Sequence, residues 1–319
     1  MKKKILVTGE HGFIGKNVLH YLIDQYYEAG PNQTLEEFCR ENNKYEVTGF
    51  SSGENNCRVD NVEDVKRRME EIKPDVIVHL AAIPVIKPDD KNPSQILKTN
   101  IEGTFNLVHY APKGCKFIFA STITVYGDSD GFSKFTENHV CSPTSIYAST
   151  KLAAENIINV YTKQGHIDGY SLRICANVGP YATHGIVPDF IKKVKSDSPT
   201  LDCLGDWPGS SKPFIHVEDT CKAILHLIEN THDIKTYNLC ANDIINVENI
   251  AKIVMDVMKI HKPINFLGSG ANWKGDNRLI KASNQLANNY LQWKPSHSST
   301  GAIYKAVKEL CNVDSSSDS

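Results

Sequence analysis

Tyr147 and Lys151 stand four residues apart in Tyr147-Ala-Ser-Thr-Lys151, a spacing that puts a phenol and an ammonium on one face of a helix. A cation near a phenol favours phenolate and lowers its pKa from about 10 towards neutral. Such a tyrosine can exchange a proton with an alcohol while hydride passes between the alcohol carbon and a nicotinamide. The spacing alone says little, because Tyr290/Lys294 and Tyr304/Lys308 repeat it and read as solvated helix faces. Only Tyr147 opens a long helix lying between two strand-like apolar runs. The first of those runs, Phe117–Ala120, is followed by Ser121 and Thr122. A hydroxyl there can bond the oxygen that the phenol deprotonates, or can simply close the strand as a Ser/Thr turn.

A second chemical signal lies near the N-terminus. TGEHGFIG (residues 8–15) spaces Gly9, Gly12 and Gly15 three apart, directly after Ile5-Leu6-Val7. Phe13, Ile14, Val18, Leu19, Leu22 and Ile23 then recur at helical spacing. Glycines between a first strand and a first helix permit a tight turn. They also let backbone N–H groups approach a pyrophosphate at the helix N-terminus. NAD-binding folds carry an acidic residue after the second strand for the adenosine ribose. Here that stretch, Val47 to Gly53, has no carboxylate, and no basic residue follows before Arg58 to meet a 2′-phosphate. NAD is the expected cofactor, with NADP left open by these residues. Asp60 either reaches the adenine amino group or caps the helix that follows.

The elements that must hold these residues alternate. Strands are predicted at Ile5–Val7, Tyr45–Phe50, Val76–Leu80, Phe117–Ala120 and Tyr170–Ile174. Helices are predicted after Gly15, over Val62–Ile72, around Gln95–Tyr110 and over 146–163. Short apolar strands alternating with helices indicate a parallel sheet covered on both faces, a doubly wound Rossmann-type α/β fold. Residues 28–43 read as an insertion with a capping box at Thr34–Glu37. After residue 176 the alternation loosens and Pro180, Pro188, Pro199, Pro208 and Pro213 punctuate it, which implies a smaller second domain. The expected division is a cofactor domain over 1–175, with 214–245 returning to it. A substrate domain covers 176–213 and 246–312, and 313–319 form an unordered tail.

Composition excludes other classes. Lys plus Arg total 35 and Asp plus Glu 37, a formal charge of −2, which gives no broad basic surface for nucleic acid. No apolar run approaches the roughly 18–20 residues of a membrane span. Lys2–Lys4 resembles the start of a signal peptide, but the apolar run behind it is too short for one. Nine scattered cysteines without a CxxC pair suit neither a disulfide framework nor a zinc site. His184, His216 and Asp219 lack ligand spacing, so no metal is expected. Reduced thiols and a cytoplasmic location follow as expectations.

In their order, TGxxGFIG, HLAA (79–82), NIEGT (100–104), STITVYG (121–127) and Tyr147-x-x-x-Lys151 resemble the extended short-chain dehydrogenases/reductases, and within them the nucleotide-sugar epimerase/dehydratase group. The resemblance continues through Gly179-Pro180, Phe214–Asp219, Tyr237–Leu239 and Trp273–Asp276, nearly the whole chain. It implies that Gly9, Gly12, Phe13, Ile14 and Gly15 hold the pyrophosphate side of NAD. It also implies that Val59, Asp60, Leu80, Ala81, Ala82, Asn100 and Ala120 line the cofactor, with Tyr147 and Lys151. Thr122, Tyr147 and Lys151 would be catalytic, and Asn177, Lys212 and Asp276 would join Thr122 and Tyr147 in binding a nucleotide-diphosphate sugar. A homodimer is implied as well.

The resemblance has gaps. Ala176 stands where the group has its diphosphate-binding asparagine, with Asn177 one place late. Lys212 offers a point charge in place of an arginine fork. The 4,6-dehydratases and decarboxylases of the group carry a glutamate two positions beyond the catalytic Ser/Thr, and most dehydratases an aspartate between. Ile123 and Thr124 occupy those positions and cannot remove a proton beside a carbonyl. A UDP-glucose 4-epimerase-like activity is the leading expectation. An NAD(P)H-dependent reductase of a 4-keto nucleotide sugar and a non-catalytic nucleotide sensor stand as alternatives.

Overall fold

The computed structural model describes residues 2–23, 44–51, 57–84, 93–268 and 277–316. The expected capping box at Thr34–Glu37, and Trp273 and Asp276, lie outside the described residues. The chain divides into two compact units, the first made of Met1–Thr122, Ile146–Arg173 and Cys221–Tyr237. Two expected boundaries shift. Only Cys221–Tyr237 of the segment 214–245 returns to the first unit, and Ile123–Ser145 belong to the second.

A six-stranded sheet organises the first unit. Its strands are β1 (Lys3–Thr8), β2 (Tyr45–Phe50), β3 (Val76–His79), β4 (Lys116–Thr122), β5 (Asp168–Ile174) and β10 (Thr236–Leu239), in the order β10-β5-β4-β3-β1-β2. β1 pairs parallel with β2 on one side and with β3 on the other, and β3 pairs parallel with β4. The chain therefore reverses its direction of winding between β1 and β3. In open sheets of this kind, ligands bind where the carboxyl ends of two such strands diverge. Ile5, Leu6, Val7, Ile77, Val78, Phe117 and Phe119 are buried, as strands covered on both faces require.

Helices α1 (Phe13–Ile23), α2 (Val62–Ile72), α3 (Pro93–Leu97), α4 (Gly103–Tyr110) and α5 (Ile146–Lys163) connect these strands, and α7 (Val217–Glu229) precedes β10. Val65, Met69 and Ile72 on α2 join Leu107 and Val108 on α4 and Ala154 and Ile158 on α5 in one core with Leu6, Ile77 and Phe117. The expected Gln95–Tyr110 helix is interrupted by a π turn at Lys98–Glu102, which carries the buried Asn100. Such turns break the regular ladder and re-aim a side chain.

The second unit comprises Ile123–Ser145, Ile174–Thr220 and Asn238–Ser319. Its short strands pair two by two: β6 (Ala176–Val178) with β9 (Phe214–His216), β7 (Leu201–Cys203) with β12 (Ile264–Phe266), and β8 (Ser211–Lys212) with β11 (Ile245–Asn246). Besides the two-turn α9 (Gln285–Leu291), it holds α6 (Ile186–Lys195), α8 (Val247–Met258) and α10 (Ser299–Ser316). Each of these three carries apolar side chains three and four apart: Val187, Ile191 and Val194; Ile250, Ala251 and Val254; Ala302, Ile303 and Ala306. These stripes meet in a separate core with Leu201, Cys203 and Phe214. The unordered tail expected from residue 313 is corrected in part, since Asp314–Ser316 continue α10. Extending a helix already nucleated by packing costs little per residue. The eight described cysteines form no disulfide. Among the described residues no helix is long and apolar enough to cross a membrane.

Candidate active site

At the reversal point Thr8 ties the ends of β1 and β3 together. Its hydroxyl oxygen accepts from the backbone N–H groups of Leu80 (3.2 Å) and Ala81 (3.1 Å), and it shares a 2.7 Å hydrogen bond with His79 Nδ1. His79 Nε2 lies 3.0 Å from the Thr104 hydroxyl, which donates to the Asn100 carbonyl at 2.7 Å. Because that hydroxyl proton is committed, Nε2 carries a proton and donates to Thr104 Oγ1. Burial, then Lys151, push the His79 pKa well below its ordinary value. Sequence reasoning misses Thr8 and His79. A threonine before the turn and a histidine beginning HLAA are the only signals available.

The glycine turn is built by close approach. Gly9 has φ +72°, and a Cβ there would meet Ala81 N at 2.7 Å. A Cβ on Gly15 would lie 2.1 Å from Gly9 O, so α1 presses directly on the turn. Gly12 is exposed, and a Cβ there would meet only Gly9 O, at 3.1 Å. The space before the α1 N-terminus is thus kept clear of side chains, with Phe13 and Ile14 beginning the helix. Asn100 braces the same region. Its amide oxygen accepts from Ile83 N (2.8 Å) and its amide nitrogen donates to Thr150 Oγ1 on α5 (3.0 Å). This fixes the segment holding Ala81 and Ala82 after β3.

Asp60 does not cap α2. The cap is Asn61, whose Oδ1 accepts from Glu63 N (3.0 Å) and Asp64 N (3.3 Å). Asp60 instead receives Arg58 through Nε (3.0 Å) and Nη2 (2.8 Å), and Gln95 Nε2 at 2.8 Å. The Arg58 fork, foremost, holds its carboxyl below the usual range. Val59 is buried, and a Cβ on Gly103 would meet its Cγ2 at 2.6 Å.

Ser121 and Thr122 are the last residues of β4 rather than a turn beyond it. The Ser121 hydroxyl donates to Glu155 on α5, which also binds Arg173 through Nε (3.1 Å to each oxygen) and Nη2 (2.7 Å). All three side chains are buried. Of the two hydroxyls, Ser121 is thus committed to a structural network. Thr122 is also buried at the strand end.

Lys151 is buried one helical turn from Glu155, and its Nζ donates to Ala120 O at 2.8 Å. It lies 4.5 Å from the Phe119 ring centroid and 5.9 Å from that of Tyr147. The expected depression of the Tyr147 pKa is corrected here. Burial pushes the phenol up to about 12. Lys151 falls to about 7, because burial outweighs the pull of Glu155. In the chain alone, desolvation of both groups exceeds what the ammonium does for the phenol. The other two tyrosine–lysine pairs differ in setting: Tyr290 and Tyr304 are exposed, with Lys308 over the Tyr304 ring at 4.7 Å.

Within the second unit, Asn177 lies on β6, parallel to β9. Its amide oxygen accepts from Thr220 Oγ1 at 2.9 Å. Lys212 ends β8, opposite Ile245 on β11.

A model of the NAD dependent epimerase/dehydratase family matches residues 5–240. The chain belongs to this family. The Agl12 low-salt glycan biosynthesis protein of Haloferax volcanii is 28% identical, over 82% of this chain and 85% of its own. The dTDP-glucose 4,6-dehydratase of Neisseria gonorrhoeae is 27% identical, over 79% of this chain and 77% of its own. In fold, the UDP-glucose 4-epimerase of Thermus thermophilus, solved with NAD, superposes with TM-score 0.81 at 20% identity, covering 97% of this chain and 99% of that one. Family membership makes a nicotinamide dinucleotide the cofactor, NAD with NADP left open. The bare Gly12 before the α1 N-terminus and the close contacts at Gly9 and Gly15 suit its pyrophosphate.

Proposed function

We propose that this member of the family is a nucleotide-sugar 4-epimerase, with a UDP-sugar as substrate. The observation that carries the reading is the set Thr122, Tyr147 and Lys151 on β4 and α5, with β4 followed by a 3₁₀ turn (Ile123–Tyr126) that has no acid–base side chain at its first two positions. Ile123 is buried and Thr124 is a hydroxyl of ordinary basicity, so these positions supply no group to abstract a proton beside a carbonyl. That disfavours dehydration and decarboxylation. Oxidation and re-reduction at one carbon need no such group.

Bound NAD would supply the hydride acceptor for oxidation at the sugar carbon C4 and the hydride donor for its re-reduction from the other face. Tyr147 takes the proton of the 4-hydroxyl as oxidation proceeds and gives it back on reduction. Thr122 orients that oxygen. Lys151, held at Ala120 O beside the β4 end, supplies positive charge to the phenol and to ribose hydroxyls. For this the Tyr147 pKa must fall from its value in the chain alone, and the cationic oxidised nicotinamide favours that fall. From the resemblance we retain Asp60 for adenine, Asn177, Lys212 and Asp276 for the nucleotide sugar, and a cytoplasmic homodimer.

Incubation of the purified protein with a panel of nucleotide sugars and no added cofactor tests this reading. Mass-resolved chromatography should find a product of unchanged mass and new retention from a UDP-sugar. Loss of water or of carbon dioxide would replace epimerisation with dehydration or decarboxylation. Conversion only of a 4-keto sugar, and only with added NAD(P)H, would make it a reductase.

A further inference from the structure

The connection from β4 to α5, Ile123–Ser145, belongs to the second unit. Tyr147 is therefore the second residue after the chain returns to the first unit, and no short loop sets its place against the sheet. A line of buried side chains does so instead. A hydroxyl has one proton and two lone pairs. Thr8 Oγ1 spends both lone pairs on Leu80 N and Ala81 N, so its proton goes to His79 Nδ1, 2.7 Å away. The ring is then neutral, the form that burial, and after it Lys151, also favour. Its Nε2–H donates to Thr104 Oγ1, Thr104 donates to the Asn100 carbonyl, and Asn100 Nδ2 donates to Thr150 Oγ1. Thr150 closes the line by donating to the backbone carbonyl of Tyr147 at 2.7 Å. Thr8, His79 and Thr104 are 0% exposed and Asn100 and Thr150 1%, so bulk solvent cannot stand in for a missing partner.

Every proton in this line points the same way, from the residue before Gly9 to the turn that carries Tyr147. Reversing any one would set two donors or two acceptors face to face in a buried place. A neutral imidazole suits the middle link, because one nitrogen accepts while the other donates. His79 is itself fixed from both sides: it pairs with Thr8 in β1 and with Phe119 in β4, and its ring stacks on Phe119 at 5.5 Å. We infer that His79, acting through Thr104, Asn100 and Thr150, is a positioning residue for Tyr147, holding the first turn of α5 in register with the glycine turn. This rests on Tyr147 as the acid–base group of the proposed function, whichever hydride reaction it serves. Thr104 is the link to break. Without its hydroxyl, Thr8 still holds His79, Leu80 and Ala81, but Asn100 and α5 lose their tie to His79.

Thr104→Val keeps the shape and removes the hydroxyl, whereas Thr104→Ser keeps the hydroxyl; at 0% exposure the residue is out of reach of any ligand. On the nucleotide sugar that the protein converts, Thr104→Val should lower kcat about tenfold and move KM less than about threefold. NADH affinity, read by fluorescence titration, should stay within about threefold of wild type, since the glycine-turn end of the line is intact. Thr104→Ser should match wild type within about twofold in all three quantities. Hydrogen exchange read by mass spectrometry should quicken about tenfold in the first turn of α5 in Thr104→Val and not in Thr104→Ser. Thr150→Val breaks the last link only; it should reproduce the kcat loss and the faster exchange, and it decides the matter if melting curves show Thr104→Val unfolded. Wild-type kcat and exchange in the folded valine variants would overturn the role of His79. A kcat loss that Thr104→Ser shares, or one matched by an equal loss of NADH binding, would overturn it too. If wild type converts no nucleotide sugar, the proposed function falls, and exchange at α5 decides this inference by itself.

Discussion

Replacing Glu155 by glutamine removes the negative charge at the centre of the Ser121–Glu155–Arg173 network while keeping its volume. The guanidinium of Arg173 contacts both Glu155 oxygens at 2.7–3.1 Å, and both side chains are at most 8% exposed. Breaking a buried pair from one side leaves an uncompensated charge and costs about 3–5 kcal/mol. Glutamine retains one acceptor oxygen, so the loss should fall near the lower end, about 3 kcal/mol. For a chain of 319 residues that lowers the thermal midpoint by roughly 4–5 °C. It is a large share of the ~5–15 kcal/mol that holds a folded protein together. Calorimetry, with urea unfolding as a second measure, reads the effect. The control is the double replacement Glu155→Met with Arg173→Met, which removes both charges and should recover more than half of the loss. The same single variant should also take Lys151 further below about 7, because Glu155 is the group that raises it. A loss under about 1 kcal/mol, or a double variant no better than the single, would refute the assignment of this pair as a coupled buried unit.

Three further outcomes follow from the same geometry. Lys151 titrates at about 7 in the folded chain against 10.5 when exposed. The unfolded state therefore binds more protons between those values, and stability of the cofactor-free chain should rise across that window by on the order of 1 kcal/mol per pH unit. Tyr147, raised from 10.0 to about 12, acts oppositely above pH 10; Lys151→Met should flatten the first slope in urea unfolding series. Gly15→Ala places a Cβ 2.1 Å from Gly9 O, which should weaken NADH binding at least tenfold and cost about 1–3 kcal/mol; unchanged NADH titration would contradict the turn geometry. Tyr147→Phe should reduce turnover ~10²–10⁴-fold while NADH still binds, and retained turnover would remove the phenol from the chemistry.

Much of the architecture is legible locally. The strand runs Ile5–Val7, Tyr45–Phe50 and Val76–Val78, the glycine turn, and the apolar periodicity of α2 and α5 each lie within about one helix or strand length. Binary pattern and turn chemistry determine such pieces with little help from the rest of the chain. The family's ordered motifs are visible for the same reason. Tyr147 and Lys151 stand apart from two identical spacings because position between strands is a property of the sequence order.

What the sequence could not decide are questions of burial and partner. Ser121 and Thr122 are equivalent as letters, and only the approach of Glu155 commits Ser121. Asp60 and Asn61 are both good caps, and the Arg58 fork assigns the cap to Asn61. The phenol rises and the ammonium falls because each is dehydrated by segments far away in the chain. His79 reads as one more residue of a strand until Thr8 is brought beside it by the pairing of β1 with β3. Local sequence encodes which elements form, whereas dielectric environment and hydrogen-bond partners arise only when distant segments pack, and those set the chemistry of the site.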